Sequence, residues 1–314
     1  MRLLRFALAV FSFAAAITAQ QPAFDIPLTY FVGAGGGNVS PFASPRAIVV
    51  GPGGDIWIAG VSQGHGLPII DPDGGMPSED SCYAPGGEPP SPFEPGVVLD
   101  PCPDLFAMRL AADGSGARYV KYLGRPGRET LAGAAVDADG NLYLFGTRPG
   151  FGRRGVEGYS IKLGPDGTTL ENEFVWFVRV AGMGIDSSGV VYRAGYASTN
   201  SEGFGPGPDE TWTIMTGTPE GQRESLYSVH LNRKTGGTVR AEDIAVSPDG
   251  WVYVCGVMRF PDFEITWPLA VDPQDKDGDI FVAAINPQGE LAWTASYGGS
   301  GEEGSPKIVL SATG

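Results

Sequence analysis

A fourteen-residue pattern occurs four times without gaps, over residues 47–60, 133–146, 182–195 and 243–256. Each copy carries a first glycine (Gly54, Gly140, Gly189, Gly250) and, six residues later, a second (Gly60, Gly146, Gly195, Gly256). An aromatic stands three residues after the first glycine: Trp57, Tyr143, Tyr192 or Tyr253. An alternating apolar pair precedes it: Ile48/Val50, Ala134/Val136, Met183/Ile185, Ile244/Val246. Alternation of this kind buries one face of a strand. Asp139-Gly140, Ser188-Gly189 and Asp249-Gly250 supply the positive φ of a tight turn. The pattern therefore predicts a β-hairpin, strands A and B. A fifth copy opens with Ile308 and Leu310 and reaches its turn glycine at Gly314.

A second element recurs at 105–110, 158–163, 226–231 and 280–285, with an aromatic at its second position (Phe106, Tyr159, Tyr227, Phe281). A turn follows at Asp113-Gly114, Asp166-Gly167, Gly236-Gly237 or Gln288-Gly289, and then a further strand, as at 119–123 and 291–297. These are strands C and D. In the third copy strand D shrinks to about 238–242. Four strands per unit at unequal intervals describe propeller blades with variable insertions, whereas a solenoid keeps its period evenly. The expected fold is all-β: a β-propeller of four-stranded antiparallel blades near 46–124, 133–180, 182–242 and 243–299, with the start of a fifth at 307–314.

The stretches AVDADGNLYLFG, DIAVSPDGWVYVCG and DGDIFVAAINPQGELAWTASYGGSGEE resemble the bacterial β-propeller repeat family labelled SBBP. Its pattern runs roughly DxxGNxYVxG, then DxFVxKLxxxG, then a YLGG strand end. The resemblance covers about 28–314 and is weaker in the third copy. It implies an exported propeller and brings no catalytic residue set. Residues 28–36 (LTYFVGAGG) resemble a D strand with no A, B or C before it. One leading D strand, four blades and one opening strand leave open edges, which soluble β proteins avoid. The chain is therefore expected to be part of a larger ring of six to eight blades, or to be closed by another chain.

Residues 1–19 place Arg2 and Arg5 around an apolar run that ends in small residues, the layout of a secretory signal peptide. The remaining 20–314 holds no apolar stretch of membrane-spanning length. An extracytoplasmic destination follows: secreted, periplasmic or cell-surface. The net charge of −15 disfavours nucleic acid, whose phosphates need basic clusters. With 48 Gly and 27 Pro the chain is rich in turns, yet 42% hydrophobic content still allows a packed core.

In an up-and-down meander the tight A–B and C–D turns share one face. The B–C connections, about 61–103, 147–157, 196–225 and 257–278, share the other. Long loops on a rigid scaffold are where recognition usually resides. Trp212, Trp267, Phe260 and Phe263 are the candidate binding residues there. Cys82 and Cys102 read as a disulfide in an exported protein, while Cys255 falls in a packed strand column with Ala59, Phe145 and Ala194. His230 shares a column with Arg109 and Lys162 on what reads as the solvated face of strand C, and His65 sits in a Gly-rich loop. Asp275, Asp277 and Asp279 form an oxygen-rich DKDGD loop that can hold calcium. It fails the EF-hand spacing, and Asp279 also matches Asp104 in the repeat, which points to a hydrogen bond inside the blade.

The function expected from these features is a binding or scaffolding module for a protein or glycan. No cofactor is required, and calcium is an option. The alternative is an extracellular polysaccharide-active hydrolase or lyase with acids gathered at the axial channel. A purely structural repeat in a larger surface protein is a third.

Overall fold

The computed structural model describes residues 42–63, 67–71, 73, 103–124, 128–149, 156–175, 179–197, 211–217, 228–231, 238–259, 267–270, 278–299 and 303–311. These residues form an all-β structure of four sheets, each an antiparallel meander of four strands. The first sheet is β1 (Phe42–Val50), β2 (Ile56–Gln63), β3 (Pro103–Leu110) and β4 (Ala117–Tyr122). The second is β5 (Thr130–Val136), β6 (Leu142–Pro149), β7 (Val156–Leu163) and β8 (Thr169–Val175). The third is β9 (Arg179–Ile185), β10 (Val191–Ala197), β11 (Thr211–Gly217) and β12 (Ser228–Leu231). The fourth is β13 (Thr238–Val246), β14 (Val252–Arg259), β16 (Asp279–Ile285) and β17 (Leu291–Tyr297), with β15 (Trp267–Ala270) added in parallel along β17.

The sheets stack through their first strands. β1 packs on β5, β5 on β9, and β9 on β13. The repeated apolar pair joins the sheets. Val136 packs with the Trp57 cluster of sheet one, and Met183 packs with Tyr143 and Phe145 of sheet two. Ile244 packs with Tyr192 and Ala194 of sheet three. Among the described residues no sheet precedes sheet one, and there the same pair, Ile48 and Val50, stands 68% and 67% exposed.

The turns follow the sequence expectation. Gly140, Gly189 and Gly250 adopt φ of 80°, 86° and 86°. Asp137 Oδ1 accepts from the Asp139 and Asn141 amides, and Asp186 Oδ1 from those of Ser188 and Val190. The carboxylate of each also accepts from the repeat tyrosine, Tyr143 or Tyr192.

Sheet three differs from the expectation. Its third strand is β11 (Thr211–Gly217), paired with β10 along its whole length, and 228–231 is its outer strand. Residues 238–242 belong to β13, the first strand of sheet four. The TWTIMT run is rich in β-branched residues and suits an inner strand. LYSVHL resembles a strand C in sequence, yet its described part supplies only a four-residue edge.

The edges of sheets one and four are also covered. Ile70 exchanges two backbone hydrogen bonds with Val120 on the outer strand β4. β15 lies along the outer strand β17 in the same way. Both segments come from B–C insertions, so those insertions return over the outer edges and pair their backbone groups, as edge protection requires.

Candidate functional site: a cavity built from four bulges

Each first strand carries one extra residue opposite the repeat's second glycine. In β1 the pairing steps from Pro45↔Gly60 to Ala47↔Ala59, which leaves Arg46 as the bulged residue. The same step leaves out Ala132 in β5, Ala181 in β9 and Glu242 in β13. A bulge bends the strand and re-aims a side chain. The glycine opposite allows the bent strand to close in. A Cβ on Gly60 would stand 2.2 Å from the Ser44 carbonyl oxygen, and one on Gly146 1.9 Å from that of Thr130. On Gly256 it would stand 2.0 Å from the Arg240 carbonyl oxygen.

All four bulged residues line one cavity of about 550 Å³. Leu131 and Val180 add apolar wall, and Thr130 and Thr147 add hydroxyls whose Oγ1 atoms are 2.7 Å apart. Thr147 lies near the end of β6 and Thr130 begins β5, so the cavity lies toward the end of the sheets from which the B–C connections leave.

The cavity is polar at its rim. Arg46, Arg240 and Lys307 line it, together with the carboxylate of Glu242. Arg240 pairs with Glu242 at 2.5 Å, and Lys307 with Asp243 at 3.5 Å. Arg46 makes no ion pair among the described residues.

Away from the cavity, the strand-C cations expected on a solvated face lie over aromatic rings of strand B, and Arg109 also reaches the next sheet. The Arg109 guanidinium lies 4.7 Å over the Trp57 ring, bonds Asp55 at 2.8 Å and donates to the Pro165 carbonyl of sheet two at 2.5 Å. Lys162 sits 5.1 Å over Tyr143. The aromatic face of strand B attracts a cation from the neighbouring strand, and the charge stays partly shielded from water. The Ala112 amide hydrogen bond, ahead of Arg109, holds the Asp55 carboxyl below its usual range despite burial. His230 lies in β12, opposite Thr213.

A second ionic cluster is structural. Lys121 is only 3% exposed, pairs with Asp71 at 3.4 Å and with Asp73, and donates to the Gly167 carbonyl of sheet two at 3.1 Å. Asp73 also accepts from the Thr169 amide at 3.2 Å. Asp71 and Asp73 thus clamp the first insertion to two sheets. Cys255 is 2% exposed, and burial pushes its thiol up to about 11.

The sequence-derived candidates are scattered. Trp212 and Trp267 lie in strands β11 and β15, so they are strand residues and not loop residues. Phe260, Phe263, Cys82, Cys102, Asp275, Asp277, His65 and residues 1–41 lie outside the described residues. Asp279 opens β16, and its carboxylate lies against Gly298, where a Cβ would stand 1.7 Å from Oδ1. Asp104 makes the same approach to Gly124 in sheet one, at 2.0 Å. Among the described residues, no group of three or more His, Cys, Asp or Glu is placed to hold a metal ion. The described residues also contain no helix long and apolar enough to cross a membrane. The cavity residues escaped the sequence reading because a bulge interrupts alternation. The repeated glycine opposite each bulge was the available signal.

No family model and no curated protein matches the chain. Among solved structures, a protein of unknown function from Dyadobacter fermentans is 11% identical, at 81% coverage of this chain and 68% of its own, with a TM-score of 0.40. An apocarotenoid oxygenase from Synechocystis is 10% identical over 82% of this chain and 65% of its own, with a TM-score of 0.32. A gluconolactonase from Xanthomonas campestris is 14% identical over 79% and 83%, with a TM-score of 0.28. These likenesses are too distant to transfer a function.

Proposed function

We propose that the four sheets are blades of an exported β-propeller that serves as a binding or scaffolding module. Its ligand, a glycan or protein, docks at the end where the B–C connections emerge, with the axial cavity at the centre. One observation carries this reading. The same bulge recurs in all four first strands and delivers Arg46, Ala132, Ala181 and Glu242 to a single cavity. Repeated bulges next to a concavity are features of sites. The blade reading draws further support from the SBBP-like repeat, and export from the leader-like 1–19.

A polysaccharide hydrolase would need two carboxylates facing one another across its substrate. The described cavity lining contributes one, Glu242, held in an ion pair with Arg240. That favours binding over bond cleavage at this position. Asp279 serves its own sheet, as Asp104 does, and calcium at the 275–279 loop is not part of the proposal.

The test is a panel of soluble polysaccharides, their fragments and purified surface proteins, read with wild type and with Ala132→Trp, which fills the cavity. The reading expects a partner that binds wild type and is lost in the variant at unchanged melting temperature. Equal binding by both proteins would move the site elsewhere.

A further inference from the structure

We infer that the axial cavity is a receptor for a small hydroxylated organic anion, of the size and chemistry of a sugar acid. This deepens the binding-module reading and rests on it. Three cations, Arg46, Arg240 and Lys307, line the cavity in a chain whose net charge is −15. Two of them are balanced by Glu242 and Asp243, at 2.5 and 3.5 Å. Arg46 is left as an uncompensated positive charge among the described residues. The bulge at β1 is what aims it there. An arginine presents a planar fork that matches a carboxylate with two parallel hydrogen bonds.

The walls define the rest of the ligand. Ala132 and Ala181 are bulged residues without reach, so they leave the middle of the cavity open. Leu131 and Val180 suit a carbon framework, and the hydroxyls of Thr130 and Thr147 can exchange hydrogen bonds with ligand hydroxyls. A volume of about 550 Å³ lies within the range of small-molecule sites. An inorganic anion would satisfy Arg46 but leave the apolar wall and the threonines unused.

The experiment is calorimetric titration of the full chain at low ionic strength with three probes: glucuronate, glucose and inorganic sulfate. The expected result is one glucuronate per chain, weakened by added salt as screening requires, with glucose and sulfate at least about tenfold weaker. Arg46→Glu removes glucuronate binding, and Arg46→Lys loses about tenfold, the worth of one charge-assisted hydrogen bond. Arg46 is exposed at the rim, so both variants keep the wild-type melting temperature. Absence of glucuronate binding overturns the inference. So does glucose or sulfate binding as tightly as glucuronate, or binding by Arg46→Glu at wild-type strength. If glucuronate fails while a neutral glycan binds and is blocked by Ala132→Trp, the anion inference falls and the binding module stands. If every partner ignores Ala132→Trp, the site reading itself falls.

Discussion

The backbone carbonyl of Arg240 and the bare Cα of Gly256 meet across the first two strands of sheet four, so closely that a Cβ would stand 2.0 Å from the carbonyl oxygen. The bulge at Glu242 brings the strand in, and the glycine makes room. Gly60 and Gly146 stand in the same relation to Ser44 and Thr130. Gly256→Ala therefore destabilises the chain by roughly 2–4 kcal/mol, the scale of a backbone clash in a packed sheet. Thermal unfolding of this variant beside an alanine at Gly304, where a Cβ meets nothing within 4 Å, checks the point. Equal melting temperatures for the two would remove the clash from the account.

Asp55 ties sheet one to sheet two through Arg109. Its folded pKa lies below the ordinary 3.8, so folding favours the ionised carboxylate. That contribution is complete above the ordinary value and is lost as pH falls through the lower folded value. Asp113 and Asp166, with carboxyls lowered by turn hydrogen bonds, add to the same window. Stability should drop below about pH 4. Asp55→Asn should cost roughly 2 kcal/mol at neutral pH and flatten the acid limb. A melting curve series from pH 3 to 7, as acid denaturation calls for, compares the slopes. An identical acid limb in the variant would exclude Asp55 as a contributor.

The thiol of Cys255, buried and raised to about 11, should ignore a water-soluble disulfide reagent at pH 8 in the folded protein and react on unfolding. If the product is exported with Cys82 and Cys102 paired, as proposed, both thiols stay silent until reduced. The denatured, unreduced chain then titrates one thiol of the three cysteines in the sequence. Three thiols before reduction would rule out the bridge.

Asp279→Asn and Asp104→Asn should each lower stability by about 1–3 kcal/mol, because each carboxylate sits on the glycine that ends its own sheet. The loss for Asp279→Asn should be the same in EDTA and in calcium. A calcium-dependent difference, seen in wild type and gone in the variant, would restore Asp279 as a metal ligand.

The A–B hairpins and their turn glycines were legible because alternation and positive-φ turns are local. The two inserted outer segments were not. Ile70 and β15 pair with strands distant in sequence, and nothing in their own residues names that partner. Arg109 and Lys162 were misread because period-two patterning marks them as outward. Outward on strand C is the face that meets the aromatic of strand B, and at Arg109 it also meets the next sheet's turn. The third sheet misled for a related reason. The 226–231 segment imitates strand C, while Thr211–Gly217 takes the inner place on its longer ladder with β10. The cavity was hidden by the bulges that create it, because an extra residue shifts the alternation on which the repeat was aligned.

The convergence of the four first strands on one axis is the claim on which the site rests. It is tested most directly by spin labels on two bulges, Arg46→Cys and Glu242→Cys, in a Cys255→Ala background; alanine already occupies that column at Ala59 and Ala194. Both positions line the same cavity of about 550 Å³. The account predicts strong dipolar broadening in the doubly labelled protein, absent from each single label. Spectra that equal the sum of the two singles would place sheets one and four apart and contradict it.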